Sequence, residues 1–144
     1  VAGSQQLVTP YTLKLTTDEM LLIEELAEYI KAMGFDISIF GKDTILIRSV
    51  PYYLNKVFDP TMLRNAIDTL NSNEFAELNL KEKLAASLAC HTAIRASKTL
   101  TLYEIKELLD LLEKTDNPYT CPHGRPTIIS MDQYELEKKF KRVQ

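Results

Sequence analysis

The run Thr16-Thr17-Asp18-Glu19, followed by Leu22, Ile23, Leu26, Ile30 and Met33, constrains this chain more than any other feature. Thr16 and Glu19 have the spacing of a capping box, in which each side chain satisfies the other residue's backbone N–H at a helix start. The apolar residues behind it recur three and four apart, which marks one face of an amphipathic helix. Gly34 stands where such a helix ends. The flanks have a different rhythm. Leu7 to Leu15 is rich in β-branched and aromatic residues, while Phe35 to Phe40 and Thr44 to Val50 alternate apolar with polar around Gly41-Lys42-Asp43. The pattern reads as β-α-β-β, closed by Pro51. Pro10 has no N–H to offer a ladder, which puts the first strand at an edge.

The second half reads as helical. Asp59-Pro60 has the form of an N-cap followed by proline at the first helical position, starting a helix near Thr61. Asn71-Ser72-Asn73 is a cluster of turn-formers between two helical patterns. From Leu78 to about Ser97 the chain is Ala- and Leu-rich, and Leu80, Leu84, Leu88 and Ala89 suggest a buried helix. Thr101 and Glu104 form a second capping box ahead of the stripe Ile105, Leu108, Leu109 and Leu112. That stripe reads first as a core face; it could instead face a second subunit, and periodicity does not separate the two. Asp116-Asn117-Pro118 ends it, before a short strand at Thr127 to Ser130 and a helix from about Asp132 to Arg142. The expected class is α+β, in two lobes joined near residues 71 to 78.

Composition excludes several functions. An apolar share of 45% supports a real core, yet no run approaches the roughly eighteen apolar residues of a membrane span. No charged segment leads into an apolar one at the start, so a cytoplasmic protein without a secretion signal is expected. Seventeen basic against twenty acidic residues give a net charge of −3, so DNA contact should be weak or directed by a partner. Lys138, Lys139, Lys141 and Arg142 form a small basic end. Two cysteines, 31 positions apart, suit reduced thiols better than a disulfide framework.

Cys121 and His123 flank a proline on a loop, and a thiolate and an imidazole two positions apart can face one ion. Pro122 stiffens the turn, Gly124 permits backbone angles closed to other residues, and Arg125 adds a fixed positive charge. Cys90 is the natural third ligand, although a cysteine in an Ala-rich helix also has the character of a small core residue. Spacing alone does not separate these readings.

The string Cys121-Pro122-His123-Gly124-Arg125-Pro126 is more specific than its spacing. It resembles a hallmark motif of MutL-type DNA mismatch repair proteins that carry an endonuclease. Ala89-Cys90-His91-Thr92-Ala93-Ile94-Arg95 is similar to a second motif of that family, with His91 where Arg or Lys is commoner, and Phe140-Lys141-Arg142-Val143 to its F-x-R ending. The resemblance runs from about Gln5 to the end and is closest to Gram-positive members. It implies the C-terminal region of a metal-dependent endonuclease that nicks the discontinuous strand, working with a MutS-type mismatch recognition protein and as a homodimer. Residues 1–73 become a regulatory, clamp-binding lobe and residues 74–144 part of the dimerisation and endonuclease lobe. Cys90, Cys121 and His123 become zinc ligands, with His91, Arg95, Arg125 and Arg142 as DNA-facing or site-shaping residues. Manganese or magnesium would serve catalysis. The family's central nuclease motif begins Asp-Gln-His-Ala and lies upstream of the matched region. These 144 residues contain no such segment, and Asp132-Gln133-Tyr134 does not replace it, so the chain alone is expected to cut poorly.

Gln5-Gln6-Leu7-Val8-Thr9-Pro10 resembles the Q-x-L-V-x-P segment by which bacterial MutL proteins engage the sliding clamp, which makes Gln5, Leu7, Val8 and Pro10 clamp-binding residues. A short extended peptide with a glutamine, aliphatic anchors and a stiffening proline suits such docking. Taken alone, Leu7 and Val8 read as core residues of an edge strand; it is the resemblance to the family that implies the clamp reading. A non-catalytic clamp-binding module with a structural zinc is the alternative function.

Overall fold

The computed structural model describes residues 3–53, 56–94 and 98–142. Its elements are β1 (Gly3–Lys14), α1 (Thr17–Ala32), β2 (Asp36–Phe40), β3 (Thr44–Tyr53), β4 (Lys56–Val57), α2 (Thr61–Leu70), α3 (Leu80–Thr92), α4 (Leu102–Glu113) and α5 (Gln133–Lys139). The α+β class and the β-α-β-β start hold. The chain divides into two compact units at Thr101/Leu102.

In the first unit, β1 and β2 flank β3 in an antiparallel sheet, and β4 adds a short pairing to the far end of β3. Ile45 and Ile47 are fully buried and Arg48 is exposed, as a one-sided sheet requires. Then the parity changes, and Val50 is buried. The register explains it: Asp36 pairs with Ser49 but Ile37 pairs with Ile47, leaving Arg48 as an extra residue in a bulge. β3 does not close at Pro51 but runs on to Tyr53. The Pro51 carbonyl accepts from Phe58 N at 3.1 Å, so the missing N–H faces the side where β2 pairing has already ended.

α1 starts with the expected capping box: Glu19 N donates to Thr16 Oγ1 at 3.3 Å, and Thr16 N donates to Glu19 Oε2 at 2.8 Å. It ends in a Schellman cap. Gly34 takes φ +100°, Phe35 N donates to Ile30 O at 3.3 Å and Gly34 N to Lys31 O at 3.0 Å. This drops Phe35 into the core, edge-on to Phe58 with ring centroids 6.3 Å apart. The Glu19 carboxylate is buried and grips Arg64 of α2 through both oxygens, at 2.5 and 3.1 Å, and Arg64 also reaches Asp68 at 2.5 Å. Hydrogen bonds from Arg64 foremost hold the Glu19 carboxyl below its ordinary range despite burial.

Asp59 caps α2, accepting from Thr61 N at 2.9 Å, and Pro60 is already helical at φ −59°. α3 begins at Leu80, where Asn79 and Glu82 form another capping box, and stops at Thr92 rather than near Ser97. Ala93 is extended at ψ 141°. The helix is one-sided, with Leu84 and Leu88 in the first unit's core and Ala89 exposed. Lys81 Nζ lies 5.9 Å from the centre of the Tyr29 ring of α1. These contacts make α3 part of the first unit, so the structural division falls after the turn cluster at 71 to 78.

The second unit holds α4, a hairpin turn and α5. Asp132 and Glu135 cap α5, which ends at Lys139 rather than Arg142. None of its described residues is buried. On the apolar stripe of α4, Ile105 and Leu109 are 39% and 57% exposed and Leu108 and Leu112 are half-buried, so the expected core face is only partly covered.

Candidate metal and partner sites

The Cys121–Pro126 motif folds into one tight hairpin. Gly124 N donates to Cys121 O at 2.8 Å, Cys121 N donates to Arg125 O at 2.9 Å, and Gly124 takes φ +75°. That is a three-residue hairpin loop with a glycine bulge, and each residue of the motif has a part in it. Pro122 supplies the fixed φ of the first corner, and Gly124 the left-handed position that a side chain would strain. A Cβ on Gly124 would meet nothing within 4 Å, so the glycine is there for its backbone and not for space. Asn117 braces the entry, accepting from Tyr119 N at 3.1 Å and donating to Thr120 Oγ1 at 2.7 Å.

Cys121 is half-buried at the root of the loop, while His123 and Arg125 are exposed on it. The turn thus presents a soft sulfur and an imidazole nitrogen two residues apart on a constrained backbone. The expected strand at Thr127 to Ser130 does not form. Thr127 N donates back to Tyr119 O at 2.9 Å, which together with the Cys121 N–Arg125 O bond makes the single Thr120–Pro126 bridge; the Thr127 hydroxyl donates to Pro118 O, and the pairing goes no further. Ile128 and Ile129 are exposed, without a neighbouring strand among the described residues.

Cys90 lies in the last turn of α3, half-buried, with His91 exposed beside it. Neither cysteine is disulfide-bonded. Arg95 falls outside the described residues. Within either unit, among the described residues, no three His, Cys, Asp or Glu side chains gather into a metal-binding group. Arg142 closes α5 in a second Schellman pattern: its N–H donates to Glu137 O at 2.9 Å, and Lys141 N donates to Lys138 O at 3.0 Å. Lys141 occupies the left-handed position at φ +55°, usually a glycine. The basic residues here complement the carbonyl end of the helix, which accounts for them without a ligand.

The Gln5–Pro10 segment interrupts β1. Gln6 pairs with Ser49 and Tyr11 with Ile47, so five residue steps on β1 span two on β3. Leu7 to Pro10 therefore leave the ladder as a wide bulge. Pro10 sits within it, where an absent N–H costs no ladder bond. Leu7 and Tyr11 turn inward and pack on the core, whereas Val8 is fully exposed and Thr9 and Pro10 are exposed with it. Gln5 is exposed and still paired with Val50. Apart from Pro10, nothing in the periodicity of Leu7 to Leu15 signals this bulge.

Comparison with known proteins decides the family. The MutL C-terminal dimerisation domain family matches residues 1–100. The chain belongs to it. The DNA mismatch repair protein MutL of Shouchella clausii is 39% identical over 141 residues, covering 97% of this chain and 22% of that protein. The MutL of Clostridium perfringens is 37% identical over 140 residues, 96% of this chain and 21% of that protein. The MutL of Listeria welshimeri is 38% identical over 140 residues, 96% of this chain and 23% of that protein. All three come from Gram-positive bacteria, as the motifs suggested. The chain spans about a fifth of the length of the curated MutL relatives it matches. Among the described residues, no helix is long and apolar enough to cross a membrane.

Proposed function

We propose that the chain is the C-terminal region of a cytoplasmic MutL whose whole protein is a metal-dependent endonuclease, nicking the discontinuous strand in mismatch repair. The observation that carries this reading is the Cys121–Pro126 hairpin, whose proline and glycine fix a thiol and an imidazole on one short turn. Two thiols and an imidazole form a donor set suited to zinc, and Cys90, Cys121 and His123 would hold it. A bound divalent ion of this kind supplies charge against a phosphate and acidifies a bound water. Manganese or magnesium would fill the catalytic role, with carboxylates of an Asp-Gln-His-Ala segment that these 144 residues do not contain.

The chain's own residues then have defined tasks. Pro122 and Gly124 keep the turn rigid, and exposed Arg125 sets a positive charge beside it for a phosphate. His91, Arg95 and Arg142 are the remaining candidates for DNA-facing or site-shaping contacts. With a net charge of −3, DNA binding by this chain alone is weak and sensitive to salt. Gln5, Leu7, Val8 and Pro10 serve the sliding clamp, in a regulatory lobe at 1–73, with residues 74–144 completing the dimerisation and endonuclease lobe. Pairing into a homodimer would cover apolar surface such as the partly exposed stripe of α4. The MutS-type protein is the expected upstream partner.

A second reading is favoured by one feature. The first unit has its own filled core and an exposed Gln5–Pro10 bulge, which supports the reading as a clamp-binding interaction module, with the zinc then structural. Metal analysis separates the readings when a full-length protein carrying this chain is compared with its Cys121→Ser and His123→Ala variants. Loss of bound zinc together with loss of plasmid nicking is expected. Bound zinc without nicking in the unsubstituted protein would favour the interaction module, and zinc content unchanged by either substitution would remove Cys121 and His123 from the site.

A further inference from the structure

Asn117 stands between α4 and the Cys121–Pro126 hairpin, and neither needs it for its own closure. α4 ends at Glu113, where Lys114 N donates to Leu111 O at 3.2 Å and the Thr115 hydroxyl donates to Leu112 O at 2.7 Å. The hairpin loop closes through Cys121, Gly124 and Arg125. Both bonds of the Asn117 carboxamide run forward instead, onto the limb that leads into Cys121. Its Oδ1 accepts from Tyr119 N at 3.1 Å, two residues on, which makes an Asx turn across Pro118. Its Nδ2 donates to Thr120 Oγ1 at 2.7 Å. The opposite limb adds two ties, since Thr127 N donates to Tyr119 O at 2.9 Å and its hydroxyl to Pro118 O. Pro118, Tyr119 and Thr120 are therefore each held, and Cys121 comes next.

Such ties carry weight here because none of the described residues of the second unit is buried. With no closed core around them, the directions of Cys121 and His123 depend on the turn and its base. A thiol and an imidazole held in advance lose less freedom on meeting an ion than a pair that must first be ordered. Groups behind the ligands of a metal site set ligand orientation, and losing one lowers metal affinity by about 10–100-fold.

We propose that Asn117 is a positioning residue for metal binding by Cys121 and His123, acting through Tyr119 and Thr120 without touching the ion. The inference rests on the zinc reading above and deepens it. The carboxamide suits the task because it offers an acceptor and a donor at once, one for each residue ahead of the cysteine.

The test is metal titration of a full-length protein carrying this chain, made metal-free, with zinc and with cobalt(II) as a coloured stand-in. Cys121→Ser should weaken the cobalt–thiolate band, which marks the site. Asn117→Ala should bind either metal about tenfold more weakly, with the cobalt bands shifted or reduced. The melting temperature of the metal-free protein should stay where it is, which separates lost positioning from lost stability. Asn117→Asp keeps acceptors for Tyr119 N and for the Thr120 hydroxyl, which then donates, and should restore affinity and spectrum. Unchanged zinc affinity and an unchanged cobalt spectrum in Asn117→Ala would overturn the role of Asn117 while leaving Cys121 and His123 as ligands. Absence of a cobalt–thiolate band in the unsubstituted protein, or a band unaltered by Cys121→Ser, would overturn both.

Discussion

The two units of this chain differ in what holds them together. The first has a sheet, three helices and a continuous apolar core in which Ile23, Ile47, Leu63 and Ile67 are almost wholly shielded from water. The second has two helices and a hairpin turn, and none of its described residues is buried. Its local structure comes from capping: the Asp132–Glu135 box, the glycine bulge at Gly124 and the hydrogen bonds of Asn117. Caps and turns define the path of a chain but contribute only about 0.5–2 kcal/mol each, too little to fix a fold without burial. The first unit is thus held by a buried core, whereas the second is held by caps and turns, with His123 and Arg125 exposed. The motif residues follow this division. Leu7 packs partly buried against a core, whereas His123 and Arg125 are exposed on a hairpin turn.

This contrast is open to direct attack by paired substitutions. Leu63→Ala removes a fully buried side chain and should cost about 2–5 kcal/mol in urea unfolding. Leu109→Ala, at a residue 57% exposed, should change stability by no more than about 0.5 kcal/mol in the monomeric chain. Equal costs would break the comparison.

A smaller effect should come from the link between α1 and α2. Glu19→Gln keeps a side chain able to cap α1 but loses the charged grip on Arg64, and should cost about 1–3 kcal/mol at neutral pH. The sign of its pH dependence follows from the lowered carboxyl. The folded state holds Glu19 ionised more tightly than the unfolded state does, so its contribution is complete above the ordinary value of 4.5. It fades as pH falls through the depressed folded value. The stability gap between wild type and Glu19→Gln, followed by urea titration from pH 7 downward, should therefore close in acid. A gap that widens in acid would contradict the pairing.

Gly124→Ala sharpens the comparison at its lower end. With open space around the position, the cost is backbone strain alone, about 1–2 kcal/mol, and confined to the hairpin. Amide exchange should quicken at Cys121 and Gly124 while the first unit's core amides are unchanged.

Much of the first unit was legible because its signals are local and periodic. The Thr16–Glu19 box, the Ile23–Leu26–Ile30 face, Gly34 and the Gly41-Lys42-Asp43 turn each carry their own instruction. Two features escaped that logic. The bulge at Leu7–Pro10 is set by register between β1 and β3, which periodicity in one strand cannot report. The strand expected at Thr127–Ser130 is absent because apolar β-branched residues call for a neighbour, and pairing with the Tyr119–Thr120 side stops at the single Thr120–Pro126 bridge. The Cys121–Pro126 motif was plain as a string, and its physical form, a hairpin with a glycine bulge, gives the string a reason. The Cys90 side of the site is legible only through family resemblance, since one cysteine near the end of α3 has the same look in a core and in a metal site.

The claim that this turn supplies metal ligands to a nuclease is tested most directly by plasmid nicking. A full-length protein carrying this chain, with manganese and supercoiled DNA, should nick readily, and its His123→Ala variant should be slower by about 100-fold with its melting temperature preserved. Nicking by His123→Ala at the rate of the unsubstituted protein would contradict the assignment.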